Sequence, residues 1–218
     1  MTERRKIAVL ISGRGSNMAS LISASMDPNY PAEITLVISN KPGAPGLERA
    51  AEFGIETATI DHKDFPRDRE AFEKALDEKL KEHGIEFVAL AGFMRLLSPW
   101  FVTQWRERMI NIHPALLPSF KGLHTHERAL EEGVKLHGAT VHFVSAEMDD
   151  GPIIIQGAVP VLDGDTPDTL AERVLAVEHR IYPKALELVA SGRAKVKDQR
   201  VAVSGEDPEL ADTVLIWP

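Results

Sequence analysis

The 218-residue chain contains no cysteine, which excludes a disulfide framework, thiol nucleophiles and thiolate metal sites, and fits a reducing compartment. It has no apolar run approaching the roughly 18 residues of a membrane span. The early apolar stretch at residues 7–11, after Arg4-Arg5-Lys6, is strand-sized and ends in Ser12-Gly13 with no small-residue cleavage pattern, so it does not read as a secretory signal. Basic residues are in deficit: 25 Lys and Arg against 33 Asp and Glu leave a net charge of −8. A broad nucleic-acid surface needs the opposite balance on at least one face. Repeats, low-complexity tracts and linkers are also missing. These absences point to a cytoplasmic protein with no membrane or nucleic-acid partner, and they leave its oligomeric state open.

What is present is the composition of an ordinary globular chain, 44% apolar and 27% charged. At 24.0 kDa it can withdraw about 70% of its unfolded surface from water, enough for one large core. Short apolar runs at 6–12, 33–39, 56–60, 86–91 and 109–112 read as strands, bounded by Gly, Pro, Asn or Asp. Between them, 17–26, 45–53, 67–83 and 99–106 read as helices; in the third, Phe72, Leu76 and Leu80 recur every four residues among charges. Strands apolar on both faces and separated by helices predict an α/β fold, an open, mostly parallel twisted sheet with helices on both faces. Residues 114–122 read as an extended loop, 125–132 as a short helix, and 137–144 and 153–161 as two more strands. Asp165-Thr166-Pro167-Asp168 starts a helix whose stripe is Leu170, Val174, Val177, Ile181, Ala185 and Leu188, with a kink expected near Pro183. Residues 1–195 are expected to form one main domain, and 196–218 a tail on the same domain, either loosely packed or with short edge strands at 201–203 and 215–217.

Three segments carry candidate chemistry. The first strand empties into Gly13-Arg14-Gly15-Ser16-Asn17 and then a helix, so free N–H groups and a positive dipole end offer an anion site at Gly15, Ser16 and Asn17. The dinucleotide fingerprint is incomplete, because Met18 stands where its third glycine belongs, and no Gly-Lys pair supports a P-loop. At the end of the fifth strand, Asn111 and His113 are two apart and project from the same face of extended chain. An amide there can donate to a developing oxyanion, and an imidazole can move protons near neutral pH. The third segment is the acidic turn Glu147-Met148-Asp149-Asp150-Gly151-Pro152. If Asp149 reached His113 it would fix the ring tautomer and favour the charged ring. His124-Thr125-His126 lacks the spacing and the third ligand of a zinc site, so no metal is expected. The apolar segment from Leu90 to Leu97, with its single Arg95, suits either core or a flat heterocycle.

In combination, residues 9–17, Ala91-Gly92-Phe93-Met94-Arg95, residues 111–118, residues 122–126, His142-Phe143-Val144 and residues 149–152 closely resemble the phosphoribosylglycinamide formyltransferases of the folate-dependent formyltransferase family. The resemblance covers about residues 5–190. It implies a Rossmann-like formyltransferase fold and formyl transfer from 10-formyltetrahydrofolate to the amino group of glycinamide ribonucleotide, in purine biosynthesis, without a metal. It implies that Asn111, His113 and Asp149 are catalytic, and that Gly15, Ser16, Asn17 and Glu178 bind the nucleotide substrate. The folate site it implies comprises Arg69, Met94, Arg95, Leu96, Leu97, Asn111, Ser145, Ala146, Glu147, Met148 and Asp149. Asp150 stands where this family usually has Gly, which predicts a turn of different backbone freedom. The alternatives are a methionyl-tRNA formyltransferase, which the acidic balance disfavours, a 10-formyltetrahydrofolate hydrolase, with water replacing the amine, and a non-catalytic nucleotide or folate binder.

Overall fold

A computed structural model describes residues 4–205. Seven strands form one sheet: β1 (Arg5–Ile11), β2 (Ala32–Ser39), β3 (Glu56–Thr59), β4 (Phe87–Leu90), β5 (Met109–His113), β6 (Leu136–Phe143) and β7 (Ile153–Pro160), in the order β3-β2-β1-β4-β5-β6-β7. The five strands from β3 to β5 are parallel, whereas β6 and β7 are added antiparallel at one edge. The helices are α1 (Ser16–Ser25), α2 (Pro45–Glu52), α3 (Arg69–Glu82), α4 (Pro99–Gln104), α5 (Thr125–Glu131) and α6 (Pro167–Ala190). Among the described residues, none is long and apolar enough to cross a membrane.

β1 shows why the central strands are unbroken apolar runs. Ile7, Val9 and Ile11 enter a core shared with Met18 and Leu21 of α1 and with Leu170 and Val174 of α6. The alternate residues Ala8 and Leu10 enter a second core with Phe72, Leu76 and Leu80 of α3 and with Phe101 of α4. Side chains alternate across a strand, so a sheet covered on both faces needs apolar residues at every position. The spacing of four on α3 is the counterpart of this arrangement, one stripe meeting one face.

Helix starts follow their capping chemistry. The Asp68 carboxylate accepts from Ala71 N at 2.9 Å to start α3, and Thr166 with Thr169 forms a reciprocal box at the start of α6. α6 continues through Pro183 as one helix. Its fully buried Tyr182 donates to Leu90 O at 2.8 Å, anchoring the helix to the carboxyl end of β4. After α6, β8 (Ala194–Lys197) and β9 (Arg200–Val203) form a separate antiparallel hairpin. The sequence reading includes only the second of these strands, and its strand at 215–217 lies outside the described residues.

β1 is flanked by β2 on one side and β4 on the other, so the chain order reverses between β1 and β4. In such a sheet the crevice for ligands opens at the carboxyl ends of the strands, at this switch point.

Candidate active site

The crevice is a cleft of about 900 Å³ that includes the end of β5, the 92–97 segment after β4, the 122–127 segment and the 144–149 turn in its lining. Asn111 and His113 both reach it, as their spacing in extended chain predicts. β6 lies antiparallel to β5, and the register places Asn111 opposite His142 and His113 opposite Thr140. Asn111 Nδ2 is 3.3 Å from His142 Nε2. The other His142 nitrogen, Nδ1, is 2.9 Å from Phe143 O and donates to it. Burial pushes the His142 imidazole below its ordinary pKa. The neutral ring therefore presents a lone pair at Nε2, and Asn111 Nδ2 is the donor. No role for His142 comes from the sequence reading; the available signal is its burial-competent position in an apolar strand, and the missing information is the strand pairing.

His113, 6% exposed, is flanked by two oxygens. Its Nε2 donates to Phe120 O at 2.9 Å, and its Nδ1 lies 3.4 Å from Asp149 Oδ2. Both ring nitrogens thus face oxygen atoms, one a backbone carbonyl and the other a carboxylate. Asp149 Oδ2 also accepts from Gly122 N at 2.9 Å, and Oδ1 lies 4.0 Å from His142 Nε2. The loop after β5 thus braces both partners, Phe120 through its carbonyl and Gly122 through its amide.

The turn reaches this position because of Gly151. A Cβ there would lie 1.7 Å from Phe143 O, so only glycine lets the chain pass this close to β6. The residue of the turn with a left-handed backbone is Asp149, at φ 52°, and not Asp150. An aspartate at 150 therefore meets no backbone penalty of that kind, and its carboxylate pairs with Lys121 across the mouth of the turn.

The cleft brings together Arg69, Met94, Arg95, Leu96, Leu97, Ser145, Ala146, Glu147 and Met148 with Asn111, His113 and Asp149. Met94, Leu96, Leu123 and Met148 expose large apolar side chains, and the two arginines line the same cleft. Apolar walls with a few convergent polar groups suit a flat heterocycle carrying an anionic end. Among the described residues no three His, Asp or Glu side chains gather as metal ligands.

Gly15, Ser16, Asn17 and Glu178 form a second cluster at the end of β1, outside the lining of this cleft. Gly15 precedes α1 in a left-handed conformation, no side chain caps the helix, and its first turn holds no acid. Its N–H groups are thus open to an anion. Asn17 Nδ2 donates to Glu178 Oε2 at 2.6 Å, and Asn17 Oδ1 is buried without a partner. Glu178 is buried on α6; burial raises its pKa and the Asn17 bond lowers it in part.

The family model described as formyl transferase matches residues 5–186. The chain belongs to this family. Among its formyl transferase relatives, the phosphoribosylglycinamide formyltransferase of Escherichia coli (strain K12) is 44% identical, over 92% of this chain and 94% of that protein. The trifunctional purine biosynthetic protein adenosine-3 of Gallus gallus is 52% identical over 89% of this chain, which spans only 19% of that protein's length. The crystal structure of glycinamide ribonucleotide transformylase 1 from Symbiobacterium toebii superposes with a TM-score of 0.90 at 45% identity, covering 93% of this chain and 95% of that one.

Proposed function

We propose that this formyl transferase moves a formyl group from 10-formyltetrahydrofolate to the amino group of glycinamide ribonucleotide, a step of purine biosynthesis. The convergence of Asn111, His113 and Asp149 in one cleft carries the reading. The cleft's apolar walls and its Arg69 and Arg95 fit a reduced folate, whose ring system is flat and whose tail is anionic. When bound, the folate supplies the formyl group, and an amine must add to that group's carbon.

The chain's own residues then divide the work. The open N-terminus of α1 at Gly15, Ser16 and Asn17 holds the substrate phosphate, and Glu178 with Asn17 meets the adjoining polar part of the nucleotide. Asn111 Nδ2, aimed by His142, donates to the oxygen that gains negative charge as the amine adds. His113 supplies and accepts the proton that must leave the attacking nitrogen and reach the departing one. Asp149 orients the ring through Nδ1 and offsets its charge. These roles reside in residues 1–195, and both substrates are small molecules.

The test is a formyl-transfer assay with purified protein, glycinamide ribonucleotide and 10-formyltetrahydrofolate. Formylated product should appear only when both substrates are present. Folate consumption at an equal rate without the amine would instead establish the hydrolase.

A further inference from the structure

Both ends of the folate-facing segment at 92–98 are tied by buried side chains that do not line the cleft. At its start, Met94 N donates to Ser12 Oγ at 2.8 Å, and Ser12 N donates to Gly92 O at 3.1 Å. The Ser12 hydroxyl in turn donates a hydrogen bond to Asn40 Oδ1. Asn40 follows β2, is 1% exposed, and is held in turn by His62 Nδ1, which donates to its backbone O at 2.8 Å. At the far end, Ser98 N donates to Glu73 Oε1 at 2.6 Å, and the Ser98 hydroxyl donates to the other carboxylate oxygen. Glu73, on α3, is 0% exposed.

Between these two ties, Phe93 and Leu97 pack half-buried against the core formed with Phe72, Leu90 and Phe101, and among the described residues no further polar tie to the backbone is made: positions 93 and 95–97 make no backbone hydrogen bond to other backbone. Met94 and Leu96 expose their side chains. The Arg95 guanidinium rests 6.0 Å from the Phe72 ring. Apolar packing holds Phe93 and Leu97 without fixing the backbone direction, so the hydrogen-bond ties set how the exposed Met94 and Leu96 are presented.

We infer that Ser12, with Asn40 behind it, and Glu73 are positioning residues that hold the 92–98 wall ready for the folate without touching it. Ser12 is also one residue from Gly13, whose carbonyl accepts from Gly46 N at 3.0 Å and leads into the anion loop. The Ser12 hydroxyl thus ties the 92–98 wall to the strand end from which the anion loop continues. The assignment of the wall to folate rests on the function proposed above; the hydrogen-bond ties do not.

Amide hydrogen exchange on the ligand-free wild-type protein tests the ties alone. Met94 and Ser98 amides should be protected, and those of Phe93, Arg95 and Leu96 should exchange quickly. Equal exchange along 93–98 would overturn the inference, whatever the protein catalyses. The Ser12→Ala variant should lose Met94 protection. It should bind 5-formyltetrahydrofolate, a non-reacting folate followed by tryptophan fluorescence, roughly two- to tenfold more weakly, the range of one net hydrogen bond. Its KM for the formyl donor should rise to match while kcat stays within about twofold, and Ser12→Thr, which keeps the hydroxyl, should restore both. Loss of kcat at unchanged KM and unchanged folate binding would sink the assignment. If Ser12→Ala does not fold, Glu73→Gln reports the other tie through Ser98 protection and the same titration. A wild-type protein with the expected exchange pattern but no folate binding would refute the functional reading and leave the ties intact.

Discussion

At Asn111 the side-chain amide is oriented by an acceptor on the neighbouring strand. His142 Nδ1–H donates a hydrogen bond to Phe143 O, so Nε2 of the neutral ring can only accept, and one Asn111 N–H is directed to it. The second N–H of the same nitrogen remains for a reacting oxygen. Asn111→Ala removes that donor, and turnover should fall about 10²- to 10³-fold. His142→Ala leaves the donor but frees its orientation, and kcat should fall by roughly tenfold, the cost of about one hydrogen bond. His142→Gln retains an acceptor and should lie between His142→Ala and wild type. Steady-state kinetics at saturating folate decide the matter, and wild-type turnover in His142→Ala would refute the orienting role. Asn111 and His113 are legible as a pair in the sequence because extended chain puts residues two apart on one face. His142 is not legible as their partner, because it lies 31 residues from Asn111 and only the β5–β6 register brings them together.

Elements are more legible than their arrangement. The α3 helix shows in the sequence because its apolar residues follow a period of about 3.6 against one buried face, and the β1 strand because it is a short unbroken apolar run that ends at Ser12-Gly13. The direction of β6 and β7 has no such local signature, and neither does the position of the 149–151 turn. That position depends on a close approach: Gly151 passes so near β6 that a Cβ would lie 1.7 Å from Phe143 O and 3.3 Å from His142 Nδ1. Gly151→Ala must therefore push the turn away from the sheet, carrying Asp149 off His113. The variant should lose about 1–3 kcal/mol of stability, as overpacking a tight site does. Its turnover should fall toward that of Asp149→Asn, with little change in binding at the anion loop. Thermal unfolding and kinetics on the two variants side by side check this, and a fully active, equally stable Gly151→Ala would refute it.

For the molecule as a whole, histidines buried at and behind the cleft weaken the fold as the pH falls below neutrality. His137 is 0% exposed, with its ring edge-on to Phe120 at 5.6 Å and to His126 at 5.3 Å. Burial, reinforced by the neighbouring His126, holds its pKa down at about 4, against an unfolded value near 6.5. Burial likewise lowers His126 and His142. The sign follows from which state binds the proton first. Between about pH 6.5 and 4 the unfolded chain is protonated at position 137 and the folded chain is not, so stability falls as the pH drops through that window. The gap of roughly two and a half units corresponds to about 3 kcal/mol for this one group. Glu178 acts in the opposite sense: its raised pKa favours the folded state below its titration, so its contribution diminishes as pH rises through the carboxylate range. Urea unfolding at pH 7.5, 6.5, 5.5 and 4.5 should show the decline. His137→Phe keeps a ring against Phe120 and His126 but cannot take a proton, so it should remove much of the slope while leaving the pH 7.5 stability nearly unchanged. A wild-type protein equally stable at pH 7.5 and 4.5, or a His137→Phe variant with the wild-type slope, would show that the enclosed ring is not what limits the fold in acid.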